Sequence, residues 1–364
     1  MQEGSEKDSG VRVFERFAHP APSPARRRIL PVFMPQAGCP GRCAFCVQDK
    51  QTGRPGVTLR QTLDDMVRAL EAKAGGPPLE VAFYGGTFTA MPEPWPDRFL
   101  EAAAVFRHAG VVNAVRCSTR PDAAHPDLLS RLAGMGLDMV ELGVQTFDDA
   151  VLAAAGRGHT GQDVHDACRA VRGAGLGLGL QLLPGLPGHA QETFARDIRQ
   201  CLDIRPDTVR LHPCLVLAGS GLEAPWRAGR FVPWSLPRAV QELARATRNL
   251  WRGGIVVSRI GLAPEPSLEA AVLSGPRHPA LGTMVRGRAL WLDIRDRLEK
   301  LRTAGGPDCP AGSWPARLAA PQRASGEFWG HARELEGDYA ALGLAPGAVV
   351  FQEREDFMLE VFSR

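Results

Sequence analysis

The chain has 364 residues, of which 44% are hydrophobic, so it can fill a sizeable core as one large domain or two ordinary ones. A net charge of +3 does not announce a nucleic-acid binder, and no uninterrupted apolar run approaches the length of a transmembrane helix, which excludes a membrane partner on this reading. The polar, acidic stretch Met1–Gly10 has no apolar segment behind it, so a secretory signal is not expected. Cys117, Cys168, Cys201, Cys214 and Cys309 are scattered singly, as small core hydrophobes and not as a disulfide framework, which fits a reducing cytoplasm.

Residues 1–27 read as a flexible tail, Pro/Ala/Ser-rich from His19 to Pro24 and ending in the basic run Arg26-Arg27-Arg28, a solvated domain edge. An alternation follows. Strands are expected at 29–34, 80–84, 113–118, 138–143, 176–183 and 207–212. Helices are expected at 61–73, 96–108, 126–135, 148–155, 162–173, 191–202 and 236–251. Short apolar strands alternating with helices of about a dozen residues imply right-handed βαβ units and a parallel sheet. Six units, not eight, imply an α/β fold: a partly open, TIM-like (βα)6 barrel over residues 28–252. From Gly253 the alternation stops. Residues 253–364 are expected to form a small α+β C-terminal lobe, with one further strand at 256–259, helices at 283–301 and 327–341, and a closing pair of strands at 349–351 and 358–362.

The loop after the first strand carries Cys39, Cys43 and Cys46. Three thiolates offered to a tetrahedral ion or a four-iron cluster leave one corner open, where chemistry can happen. In sheets of this kind ligands sit at the carboxyl ends of the strands, so each candidate motif should follow a strand. Several do. Gly85-Gly86-Thr87 ends the second strand, where consecutive glycines let backbone approach a ligand. Cys117 to Asp122 ends the third with hydroxyls and an arginine, Gly143-Val144-Gln145 ends the fourth, and the turn from Gln181 to Gly188 ends the fifth.

The cysteine loop, with Phe45 before its last cysteine, resembles the signature of the radical S-adenosylmethionine (SAM) superfamily. The resemblance implies a [4Fe–4S] cluster on Cys39, Cys43 and Cys46, its fourth iron chelated by SAM. One-electron cleavage of the sulfonium would then give a 5′-deoxyadenosyl radical that abstracts a hydrogen from substrate. The segments Phe83–Thr89, Ser118–Asp122, Glu141–Gln145, Gly156–Thr160, Gln181–Gly188 and Val209–Pro213 resemble the radical domain of the Elongator catalytic subunit and its bacterial relatives. By that resemblance Gly85, Gly86 and Thr87 meet the amino group of the cofactor, while Gln145 and Arg157 contact its ribose and carboxylate, as in the related coproporphyrinogen oxidases. Ser118 and Gln181 also fall in the cofactor site, although each replaces an acidic residue there.

The resemblance further implies a tRNA base as substrate and an electron donor such as a flavodoxin or ferredoxin. Two departures stand out: a compact cysteine spacing, and no room on this sequence for the acetyltransferase domain of Elongator. Two alternatives remain open here. One is radical chemistry on a small molecule such as a tetrapyrrole. The other is a non-catalytic module holding structural zinc, for which no second pair of ligands appears. His159 is more simply a structural histidine, and the loop 328–333 is a weak match to a nucleotide-backbone clamp.

Overall fold

A computed structural model describes residues 12–22, 28–53, 56–304 and 315–362. The expected tail lies mostly outside these residues, as do Arg26, Arg27 and Cys309. Its described part departs from expectation: β1 (Arg12–Phe17) is a strand, not free chain.

The next strands are β2 (Arg28–Phe33), β3 (Leu79–Tyr84), β4 (Val112–Thr119), β5 (Met139–Gln145), β6 (Gly177–Leu182) and β7 (Thr208–Leu211). After the short β8 (Val216–Leu217) comes β9 (Val256–Ile260). Strands β2 to β7 and β9 form one parallel sheet in the order β2-β3-β4-β5-β6-β7-β9, an open half-barrel with β2 and β9 as its two edges. The sheet thus has seven strands where six were expected. Val256–Ile260 was expected as a strand but assigned to the terminal lobe; it pairs with β7 instead. Pro31 is tolerated because β2 lies at an edge, where a missing N–H breaks no inner ladder.

The helices between strands are locally specified. Helix Leu59–Glu71 opens with a capping box between Thr58 and Gln61 and buries Thr62, Met66 and Leu70, one face at four-residue spacing. Helix Gly161–Gly173 opens on a second box, between Thr160 and Asp163. The remaining strands are β10 (Val272–Ser274), antiparallel to β8, then β11 (Ala316–Pro321), β12 (Val349–Gln352) and β13 (Phe357–Phe362).

By contacts the chain divides into two compact units that are not linear segments. One comprises residues 23–239 and 253–279 and holds the half-barrel. The other comprises residues 1–22, 240–252 and 280–364. In the second unit a four-stranded sheet has the order β1-β13-β11-β12, so the expected closing pair β12 and β13 is separated by β11. Helix Leu281–Ala304 lays Leu290, Ile294, Leu298 and Leu301 into the core of this unit, together with Phe17, Phe328, Tyr339 and Phe357. The helix expected at 327–341 is broken at Gly330, Ala332 and Arg333, all at positive φ. The proposed clamp there is a core turn, because Phe328 is fully buried and Trp329 nearly so. Among the described residues no helix is long and apolar enough to cross a membrane.

Candidate active site

The ten residues assigned to cluster and cofactor line one cavity of about 1170 Å³ in the half-barrel: Cys39, Cys43, Cys46, Gly85, Gly86, Thr87, Ser118, Gln145, Arg157 and Gln181. The cysteine loop is pinned on both sides. Met34 N donates to Tyr84 O at 2.8 Å, Thr87 N to Ala37 O at 2.7 Å, and Ala44 N to Ala155 O at 2.9 Å. Phe45 packs against the apolar cluster that includes Val151, Ala155 and Leu183. The Gly85-Gly86 turn is part of this mount. Both glycines have positive φ, and a Cβ on Gly86 would collide with the Ala37 carbonyl oxygen. Gln48, which the sequence reading missed, ties the two loops together: its Oε1 accepts from Gln36 N and from Gly86 N, the latter at 2.9 Å.

The three thiols are half-buried and unpaired. Cys39 Sγ lies 3.4 Å from Thr87 Oγ1, and Arg157 Nη1 donates to Cys43 Sγ at 3.2 Å. Burial and the neighbouring Cys43 push the Cys46 thiol up to about 12. Arg157 also donates to Gly143 O at 2.7 Å, bridging the cysteine loop to the end of β5. There Gln145 sits at positive φ, uncommon for a residue with a side chain, and a register shift accompanies it. The turn that follows is fixed from behind: Asp197 Oδ1 accepts from Phe147 N at 2.9 Å and Thr146 Oγ1 at 3.1 Å, with His189 Nε2 3.1 Å from Oδ2. Arg120 binds Asp122 through two bonds of 2.9 and 2.7 Å. Burial alone would raise the Asp122 carboxyl, but the Arg120 bonds outweigh it and hold it below its usual range. His159 is buried, shares a 3.3 Å bond with Val144 O, and does not line the cavity.

Three cysteine thiols facing one cavity suit an iron–sulfur cluster. Among the described residues no three His, Cys, Asp or Glu side chains converge closely enough for a single metal ion, and a four-iron cube spaces its thiolates wider than one ion does. Two buried polar atoms at the same mouth, Gln145 Oε1 and Arg157 Nε, have no partner in the protein, as expected where a polar cofactor supplies one.

An open parallel half-barrel with three cysteines over its strand ends defines a class. The model for the radical SAM superfamily matches residues 33–201 and that for the radical SAM C-terminal domain matches residues 206–289. The chain belongs to the radical SAM superfamily; it is an enzyme whose cofactors are a [4Fe–4S] cluster and SAM. Among its relatives, the tRNA uridine(34) acetyltransferase of Methanocaldococcus jannaschii is 29% identical over 68% of this chain and 52% of its own length. Human Elongator complex protein 3 is 30% identical over 62% of this chain and 44% of its own length. A solved structure of the archaeal Elp3 of Methanocaldococcus infernus, with an N-terminal deletion, superposes with a TM-score of 0.57 at 22% identity, covering 74% of this chain and 62% of that one. The last comparison supports the fold. The chain spans about half the length of the curated relatives it matches.

Proposed function

We propose that this enzyme performs radical chemistry on a base of tRNA, with Cys39, Cys43 and Cys46 as cluster ligands. Gly85, Gly86 and Thr87 would meet the SAM amino group, Gln145 and Arg157 its ribose and carboxylate, and Ser118 and Gln181 the adjoining wall. When bound, the two cofactors supply a one-electron reductive cleavage that leaves a carbon radical able to take a hydrogen from substrate. The chain's own residues hold and orient. Arg157 ties Cys43 to the end of β5, so the cluster loop and the cofactor-facing Gln145 keep a fixed separation. The stacked anchors at Ala37, Ala44 and Gly86 keep the thiols facing the cavity.

The observation that carries this reading is the meeting of all ten nominated residues on one cavity. Substrate class is argued from likeness to the tRNA uridine(34) acetyltransferases, and only the radical step is proposed, not acetyl transfer. A reducing, cytoplasmic setting and an electron donor such as a flavodoxin or ferredoxin go with it. The test has two stages. Anaerobically reconstituted protein should show an electron paramagnetic resonance signal that changes on adding SAM, with 5′-deoxyadenosine formed; a colourless protein holding one zinc ion refutes the radical assignment. Nucleoside mass spectrometry of tRNA from a deletion strain should then show a lost modification, and an unchanged profile removes tRNA as substrate.

A further inference from the structure

The interior of the half-barrel is lined by charge where parallel sheets usually carry aliphatic side chains. On one side Arg116 is fully engaged. Its guanidinium donates to both oxygens of Glu80, at 2.5 and 2.6 Å, and to Glu141 Oε1 at 3.0 Å. On the other side Arg210 Nε lies 3.1 Å from the same Glu141 oxygen. Arg210 also donates to the Tyr84 hydroxyl and sits 4.5 Å from the centre of the Tyr84 ring.

Next to Arg210 the ladder slips by one residue. Val209 faces Val257 but Arg210 faces Arg259, so Ser258 is the extra residue of a bulge. Bulges re-aim side chains. This one puts Arg259 beside Arg210 on the lining of the cavity. Arg259 Nε donates to the Gly261 carbonyl at 3.3 Å, and among the described residues no carboxylate pairs with it. Partial desolvation of its cavity-facing side and the Arg210 charge both hold the Arg259 guanidinium below its ordinary range. Of the other acidic groups on the lining, Asp138 is committed to Arg107 and Asp207 to Arg172. Glu80 and Glu141 pair with Arg116 and Arg210, and Arg259 beside them is left without a carboxylate partner among the described residues. Gly179 on β6 lets Glu141 and Thr208 pack over it: a Cβ there would stand 2.9 Å from Glu141 Cγ and from Thr208 Oγ1.

We propose that Arg210, Arg259 and the Tyr84 hydroxyl form a phosphate-binding subsite inside the barrel, so that the substrate is held by a nucleotide phosphate and not by its base alone. Two guanidiniums and a hydroxyl offer more donors than the two oxygens of a carboxylate accept, which favours phosphate. This deepens the reading of the cavity as the radical substrate site and rests on it.

The test is calorimetric binding to cluster-reconstituted protein held in saturating SAM, so that the cofactor's own carboxylate cannot account for the result. Uridine 5′-monophosphate should bind at least about tenfold more tightly than uridine, the range of a charge-assisted hydrogen bond or two. Arg259→Gln should bring the two ligands close to parity, with Arg259→Lys in between. Arg259 is the residue to change because it is exposed on an edge strand, and cluster absorbance reports that each variant is folded. Equal binding of nucleotide and nucleoside by the wild type overturns the proposal. So does a phosphate preference that survives Arg259→Gln, or tighter binding of coproporphyrin, a carboxylate ligand, than of the nucleotide. A phosphate preference alongside an unchanged tRNA profile upholds the subsite and rejects only tRNA as the source of the phosphate.

Discussion

The four-stranded sheet buries Phe17 stacked on Phe357 at 5.1 Å and packs beside Phe328, itself stacked on Tyr339 at 4.1 Å. The seven-stranded sheet instead points Arg116, Glu141, Gln181 and Arg210 into a cavity. Both are parts of one chain, and the cavity lies within the seven-stranded sheet. A packed aromatic core maximises burial and dispersion. A polar lining gives up some of that stabilisation and keeps donors and acceptors available to a ligand. The contrast separates the part of the molecule that stores stability from the part that does chemistry.

Four changes break or sharpen that contrast. Cys43→Ala should have the largest consequence: no reducible cluster and no 5′-deoxyadenosine, by iron assay and product analysis, with the thermal transition of the protein part little moved. Retention of a SAM-responsive resonance signal would count against Cys43 as a ligand. Phe328→Ala in the other sheet should do the reverse, lowering stability by about 3–5 kcal/mol in urea unfolding while the reconstituted cluster keeps its spectrum. Arg116→Met tests whether the charges in the barrel are structural on that side. It removes the Arg116 bonds to buried Glu80 and leaves Glu141 with Arg210, and should cost a comparable ~3–5 kcal/mol, partly recovered when Glu80→Gln is added. Gly86→Ala should cost less, about 1–3 kcal/mol for the positive φ and the displaced Ala37 carbonyl. Its clearer readout is reduced iron loading at unchanged circular dichroism.

The smallest effect is read with pH. Burial, with Arg157 nearby, holds His159 at about 4, and burial, with Arg210 and Arg259, holds His212 at about 3, both below the ordinary value near 6.5. Between those limits the unfolded chain binds more protons than the folded one, so stability falls as pH drops below about 6.5. The melting temperature of the protein should decline through that window, and less so in His212→Gln. A flat profile would show that neither ring is kept neutral by the fold.

Much of the barrel was legible because buried parallel strands write themselves as apolar runs at helix-length intervals. Val81 to Phe83 does so, and the alternating Leu178, Leu180 and Leu182 mark β6. The cysteine loop was legible because its spacing is local. The seventh strand was visible as a strand but misplaced, since a long segment with its own short strand and helices separates it from β7, and Ser258 and Arg259 are exposed. Strand β1 could not be read at all: Arg12 to Phe17 mixes charge and bulk, and its partner lies at the other end of the chain. Glu80 and Arg210 escaped for a related reason. A charged residue inside a strand gains meaning only when the face it points to is known, and that face is set by neighbours far away in sequence. The glycine pair was seen, although its role in seating the cysteine loop against strand β3 was not.

The pairing of β1 with β13 has a consequence for biosynthesis. Arg12 faces Phe362 in the ladder, so β1 must wait until β13 has been synthesised before its hydrogen bonds can close. Until then Phe14 and Phe17 ride on a nascent strand without a sheet, while the half-barrel is free to form from earlier-completed segments. The aromatic sheet is therefore the late-maturing element of this enzyme, and a stall or truncation near the C-terminus would strand it at both ends at once.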